Sequence, residues 1–147
     1  MKSHTLIALA LTLASCVGAS PGREVRYMNL DENSELPFSH AVLAGDTLYV
    51  AGSLGLDPDT GAPPASAEDE ARLCLDSIRA KLELAEMTMD DLVQVQVFCP
   101  DLSLYDTFNT VYRTYFDEHF PARAFIGSGP LLRGARFEVN AIGVRQR

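Results

Sequence analysis

Arg136-Phe137-Glu138-Val139-Asn140-Ala141-Ile142-Gly143-Val144 is a β-prone stretch that changes character at every other residue. Phe137, Val139 and Ala141 make one side apolar, and Glu138 and Asn140 fall on the other, as the two-residue period of a strand requires. The same pattern recurs at Asp91 to Phe98, where Val93, Val95 and Val97 alternate with Gln94 and Gln96. Two strands of this kind predict a sheet covered by helices on one face and polar on the other. Upstream of Glu138 stands Phe120-Pro121-Ala122-Arg123-Ala124-Phe125. Pro121 fixes the backbone on entry to an apolar run, which puts Arg123 near the start of a strand over Ala122 to Gly127. A cation and an anion on neighbouring strands, each in an apolar run, mark a candidate site.

The rest of the chain supplies the remaining elements. Val25 to Leu30 reads as a first strand. Ala41 to Gly52 reads as a hairpin, because Gly45-Asp46 punctuates two apolar runs. Asp57-Pro58-Asp59-Thr60-Gly61 is a turn, with Pro presetting φ and Gly accepting positive φ. Its aspartates lack the third early carboxylate and the twelfth-position Glu of a calcium loop. Ser66 to Glu86 predicts the longest helix, capped by Ser66-Ala67-Glu68-Asp69, with Ala71, Cys74, Leu75, Ile78, Leu82 and Ala85 on one face. A second helix begins at Ser103 and turns Leu104, Phe108, Val111, Tyr112 and Tyr115 to one side. The order βββαβαββ argues an α+β domain, a mixed sheet with two helices on one face. The sheet's polar face suits either solvent or a symmetric contact between subunits.

Composition sets the class. The chain has 147 residues, 47% hydrophobic and 22% charged, with a formal charge of −8. That is one globular domain with enough material for a core. It offers no clustered basic face, which argues against nucleic acid as a partner. The N-terminus reads as a targeting segment: Lys2, then an apolar run from Leu6 to Leu13, then small residues. The run is too short to cross a bilayer as a helix. Leu13-Ala14-Ser15-Cys16 has the form of a bacterial lipobox, with Cys16 as the lipidated residue; cleavage after Ala19 is the alternative. Residues 1–16 are thus expected to be a signal peptide ending at Cys16, 17–23 a tether, and 24–147 the folded domain. The expected location is the cell envelope or periplasm, with membrane attachment through the N-terminal lipid only.

Other reactive residues read more plainly. Cys74 and Cys99 lack metal or redox spacing; buried free thiols are the expectation, with a disulfide between them the alternative in an oxidising envelope. His40 and His119 have no triad partner or metal spacing and are expected at the surface or in caps. Ser128, in Gly127-Ser128-Gly129-Pro130, belongs to a turn rather than a nucleophile elbow. Asn109 suits packing or capping as well as ligand contact, and Arg123 with Glu138 could form an ion pair that fixes subunit register.

Several stretches in this order resemble one family. Gly45-Asp46-Thr47-Leu48-Tyr49-Val50-Ala51-Gly52, Asp57-Pro58-Asp59-Thr60-Gly61, Val97-Phe98-Cys99-Pro100-Asp101-Leu102, Phe108-Asn109-Thr110-Val111-Tyr112, Pro121-Ala122-Arg123 and the Glu138 strand are similar to the RidA/YjgF family of imine/enamine deaminases. The resemblance implies a chorismate-mutase-like α+β fold assembled as a homotrimer, with ligand clefts between subunits. It implies hydrolysis of 2-imino or 2-enamino acids to 2-keto acids and ammonia, without a metal or organic cofactor. Arg123 would anchor the substrate carboxylate, Glu138 would place or activate water, and Asn109, Phe38 and Phe125 would line the cleft. Phe38, Ala51 and Phe125 stand where the family commonly has Tyr, a small hydroxyl residue and Cys, which predicts a more apolar site. A non-catalytic module binding a small carboxylate, and a structural envelope trimer, are the alternatives.

Overall fold

The computed structural model describes residues 24–146, so the expected signal peptide with Cys16 and the tether at 17–23 lie outside the described residues. The chain runs β1 (Val25–Met28), β2 (Ala41–Ala44), β3 (Thr47–Leu54), α1 (Ala67–Glu83), β4 (Leu92–Cys99), α2 (Tyr105–Tyr112), β5 (Ala122–Gly127) and β6 (Glu138–Val144). This is the expected order. The strands form one sheet in the order β1-β2-β3-β6-β4-β5. All pairings are antiparallel except β4 with β5, which run parallel and are joined through α2.

Both helices pack on one face. Ser66 caps α1, its side chain accepting the Asp69 N–H at 3.2 Å, and Glu68, Asp69 and Glu70 sit where the helix dipole favours anions. Leu75, Ile78 and Leu82 of α1 are buried against Val95, Val97, Phe137 and Val139 of the sheet region. Each of those aliphatic side chains contributes about 1.5–3 kcal/mol by leaving water. Phe108 of α2 fills the gap beside Phe125 and Phe137, at ring separations of 5.6 and 5.0 Å.

Three local readings are corrected. Val93 does not face the helices: the register slips between Leu92 and Gln94, Val93 bulges outward, and Leu92 takes the inner place. Ser103 does not start α2. A 3₁₀ turn (Leu102–Leu104) precedes the helix, and the Asp101 carboxylate caps it by accepting the Ser103 N–H at 3.0 Å. β6 begins at Glu138, because Arg136 and Phe137 are held by a side chain instead of a neighbouring strand.

That side chain is Glu70. It is fully buried on α1 and accepts from the Arg136 N–H (2.6 Å), the Arg136 Nε (2.5 Å) and the Phe137 N–H (3.1 Å). The Arg136 guanidinium also donates to the Pro64 and Ala65 carbonyls before α1. Gly55 lies so close to α1 that a Cβ there would strike the Glu70 carbonyl. The start of α1 and the entrance to β6 are therefore one polar joint. Breaking a buried charge pair from one side costs about 3–5 kcal/mol. Glu70→Ala should accordingly lower the melting temperature by about 10 °C or more in a thermal scan, whereas the exposed Glu68→Ala should shift it by only a few degrees.

Candidate functional site

Arg123 pairs in register with Val95, whose side chain faces the helices, and so Arg123 also points to the helix side, at the sheet's edge. Its Nη2 donates to Asn109 Oδ1 at 2.7 Å. The guanidinium carbon lies 4.5 Å from the centre of the Tyr112 ring, with the Tyr105 and Phe125 rings at 5.8 and 5.9 Å. Tyr105, Asn109 and Tyr112 follow one another at helical spacing, so a single stripe of α2 builds this nest. Arg123 makes no ion pair among the described residues. Its charge, held by an amide and three ring faces, is open to an anion. An open hollow of about 170 Å³ adjoins it, lined by Asn109, Tyr112, Arg113, Phe120 and Pro121. The Tyr112 hydroxyl is buried without a hydrogen-bond partner among the described residues, and burial pushes it up to about 12 against the pull of Arg123.

Glu138 occupies a different place. Its neighbours in sequence, Phe137 and Val139, are fully buried toward the helices, so the Glu138 carboxylate projects from the opposite, open face. There it rests on Gly52: a Cβ at residue 52 would collide with Glu138 Oε1. Gly52 belongs to a bulge, since Val50 pairs with Ala141 and Ser53 with Val139, leaving one extra residue on β3. No described residue donates a hydrogen bond to the Glu138 carboxylate.

Phe38 is half exposed in the loop between β1 and β2 and meets the His40 ring edge-on at 5.9 Å. The His40 carbonyl accepts the Ala51 N–H at 3.0 Å, which ties this loop to the Gly52 bulge and not to Arg123. His40 itself fastens β1 to β2 through Asn29, whose Oδ1 accepts the His40 N–H at 3.0 Å. Phe125, by contrast, belongs to the Arg123 nest, where it packs edge-on against Tyr105 at 5.0 Å.

The expectation that Arg123 and Glu138 lie on neighbouring strands is therefore corrected. Strand β4 stands between β5 and β6. Glu138 is level with Ile126 across Phe98, three residues along from Arg123. The two Cα positions are thus offset by about 10 Å across the sheet and about 10 Å along it, with side chains on opposite faces. They form no ion pair within one chain. The structure presents two half-sites: Arg123 with Asn109 and Phe125 at the β5 edge, and Glu138 with Gly52, Ala51 and the Phe38 loop on the open face.

Two buried charged residues escaped the sequence reading. Glu70 and Lys81 of α1 are both essentially inaccessible. Lys81 Nζ donates to Ser53 Oγ (2.6 Å) and to the carbonyls of Ala51 (3.1 Å) and Gly52 (3.3 Å). Their spacing contained the signal: positions 70, 74, 78, 81 and 85 fall on the helix face already assigned to the core. Cys74 and Cys99 are free, buried thiols as expected, and burial raises both above the usual thiol range. His119 is exposed, and the Ser128 N–H, just past β5, donates to the Cys99 carbonyl at the end of β4 at 3.1 Å.

Known proteins share this architecture. The Endoribonuclease L-PSP family profile matches residues 30–145. The 2-iminobutanoate/2-iminopropanoate deaminase of Bos taurus is 37% identical over 110 residues, covering 74% of this chain and 80% of that protein. The protein of the same name in Escherichia coli strain K12 is 34% identical over 113 residues, covering 75% and 88%. Among solved structures, E. coli TdcF with bound serine superimposes with a TM-score of 0.72 at 29% identity, covering 86% of this chain and all of that one. The E. coli YjgF gene product gives 0.72 at 33% identity, covering 77% and 91%. Sequence and fold agree: this chain belongs to the RidA/YjgF family.

Proposed function

We propose that the protein hydrolyses 2-imino and 2-enamino acids to 2-keto acids and ammonia, in clefts that two copies build together. The observation that carries this reading is the division of the site. Among the described residues, one half offers a cation with no ion pair in an aromatic nest, the other a carboxylate with no hydrogen-bond donor, and a single chain cannot bring them together. A head-to-tail contact would place the β5 edge of one copy against the open face of the next, and such a contact closes into a ring. A homotrimer is the ring the family resemblance implies. The unpaired edge of β5 and the amide-rich face carrying Gln94, Gln96 and Asn140 are surfaces suited to that contact.

The chemistry follows from the parts. Arg123 binds the substrate carboxylate through its planar fork, with Asn109 holding the guanidinium in place. The imine carbon is electrophilic, so a water directed by Glu138 attacks it while the carboxylate takes the proton. Glu138 returns that proton to the imine nitrogen, giving the carbinolamine; as the C–N bond breaks, the hydroxyl proton passes through the same carboxylate to nitrogen, and the keto acid and neutral ammonia leave. Two relatives carry names that specify imino-acid deamination, and another is described with bound serine, a small amino acid with the same carboxylate handle. Phe38, Ala51 and Phe125 make both halves less polar, which favours substrates with larger apolar side chains. We further propose that residues 1–15 are removed, that Cys16 carries a lipid, and that the domain works in the bacterial envelope.

Coupling to an amino-acid oxidase tests the reaction. The purified protein should accelerate ammonia release from the oxidase-generated imine, Arg123→Ala should raise KM and remove most of the effect, and Glu138→Gln should lower kcat by about a hundredfold or more. Gly52→Ala should act like Glu138→Gln, since its methyl displaces the carboxylate, yet it should melt within a few degrees of the parent. Equal rates for all four proteins and buffer would leave, at most, a carboxylate-binding module. Anchoring is tested by palmitate labelling in a bacterial host, which should be present in the full chain and absent in Cys16→Ser.

A further inference from the structure

Lys81 is a fully buried ammonium that the proposed reaction does not use, and its surroundings assign it a task. At the β3 bulge, Ala51 and Gly52 stand opposite the single residue Asn140, between the pairs Val50–Ala141 and Ser53–Val139. Carbonyls left without a donor are costly, and Lys81 donates to both from the helix side, with Ser53 Oγ adding a longer bond to the Ala51 carbonyl (3.4 Å). Its third proton goes to Ser53 Oγ, so every donor of the ammonium is used. On the other side of the same two residues, Gly52 forms the Cβ-free seat of the Glu138 carboxylate. We infer that Lys81 is a positioning residue for Glu138: it pins the bulge from beneath and sets a buried positive charge one strand's thickness below the carboxylate.

This inference rests on the proposed role of Glu138. A hydrophobic residue of similar length would fill the same space, but it would take the ammonium from the Gly52 carbonyl, leave the Ala51 carbonyl with only the long Ser53 Oγ bond (3.4 Å), and remove the charge. The bulge could then relax toward a regular register and carry Gly52 out from under Glu138. Arg123, on the far side of β4, would be untouched. Substrate binding and water activation should therefore respond separately. Lys81 is also placed to lose its proton in an accessible range, because burial pushes it down to about 8. The groups facing it are Cys74 on its own helix, Ser53 on β3, Glu138 on β6, and His40 at the start of β2, which feels its charge. Glu138 favours the charged form, and burial outweighs it.

The test measures steady-state imine hydrolysis by the full chain across pH 6–10, corrected for the uncatalysed rate. Lys81→Met should lower kcat by about ten- to a hundredfold, as a misplaced carboxylate would, with KM within about twofold. The parent should lose kcat as pH rises through about 8, when the ammonium deprotonates, and that alkaline loss should vanish in Lys81→Met. Ser53→Ala, which removes one acceptor and leaves the charge, should fall between the two and keep the alkaline loss; it decides the question if Lys81→Met does not fold. Parent-like kcat in Lys81→Met, or in Ser53→Ala when that variant must decide, overturns the inference. So does an alkaline loss that persists in Lys81→Met, or a rise in KM that accounts for the whole defect. Glu138→Gln run beside them separates the causes. If it too leaves kcat unchanged, the base assignment has failed; if it alone lowers kcat, only the Lys81 inference has.

Discussion

Strand β6 lies between β3 and β4, and its pleat organises the molecule. Phe137 and the inner residues Val139 and Ala141 close the core beneath the helices, and the alternate positions Glu138 and Asn140 face outward. A slip of one residue would exchange these faces and bury a carboxylate. The buried Glu70 prevents the slip by gripping the Arg136 and Phe137 N–H groups just before pairing begins. The bulge in β3 then completes the arrangement, since it presents a glycine where the Glu138 carboxylate must lie. Helix α1 supplies both supports, Glu70 for β6 and Lys81 for the bulge, about three turns apart.

The same pleat decides what one chain can do. Arg123 faces the helices because it pairs with Val95, and Glu138 faces away because it lies between two core residues. No rotamer change carries either side chain through the sheet. Each half-site is nevertheless well made: Arg123 is held by Asn109 and three rings, and Glu138 has a fixed seat with its oxygens free. An Arg with no ion pair and a carboxylate with no hydrogen-bond donor among the described residues are suited to groups that arrive from outside.

Much of this was legible in the residues. Periodicity placed the six strands and two helices in order, and the alternation at Phe137 to Ala141 placed the polar face. The sheet order was not legible, because β5 and β6 are consecutive in sequence while β4 separates them in space. Pairing of β4 with β5 is a parallel, non-local contact that no local pattern encodes. The bulge at Val93 broke the apparent Val93/Val95/Val97 run for a related reason: an inserted residue shifts the phase without altering composition. Glu70 and Lys81 were hidden by the habit of assigning charged residues to solvent, although both lie on the core face of α1. Arg123, Asn109 and Phe125 were found together, as the motif and the second helix suggested, and Phe38 was found with the other half.

The central claim is that one active cleft takes Arg123 from one copy and Glu138 from another. Subunit mixing tests it most directly, with Arg123→Ala and Glu138→Gln, each retaining only a small residual activity alone, co-expressed in equal amounts and assayed for imine hydrolysis. With random assembly, each contact receives an intact Arg123 half and an intact Glu138 half about one time in four, so the mixture should regain about a quarter of the parent activity. Activity no higher than that of the separate variants, in particles shown to contain both chains, would contradict the shared cleft.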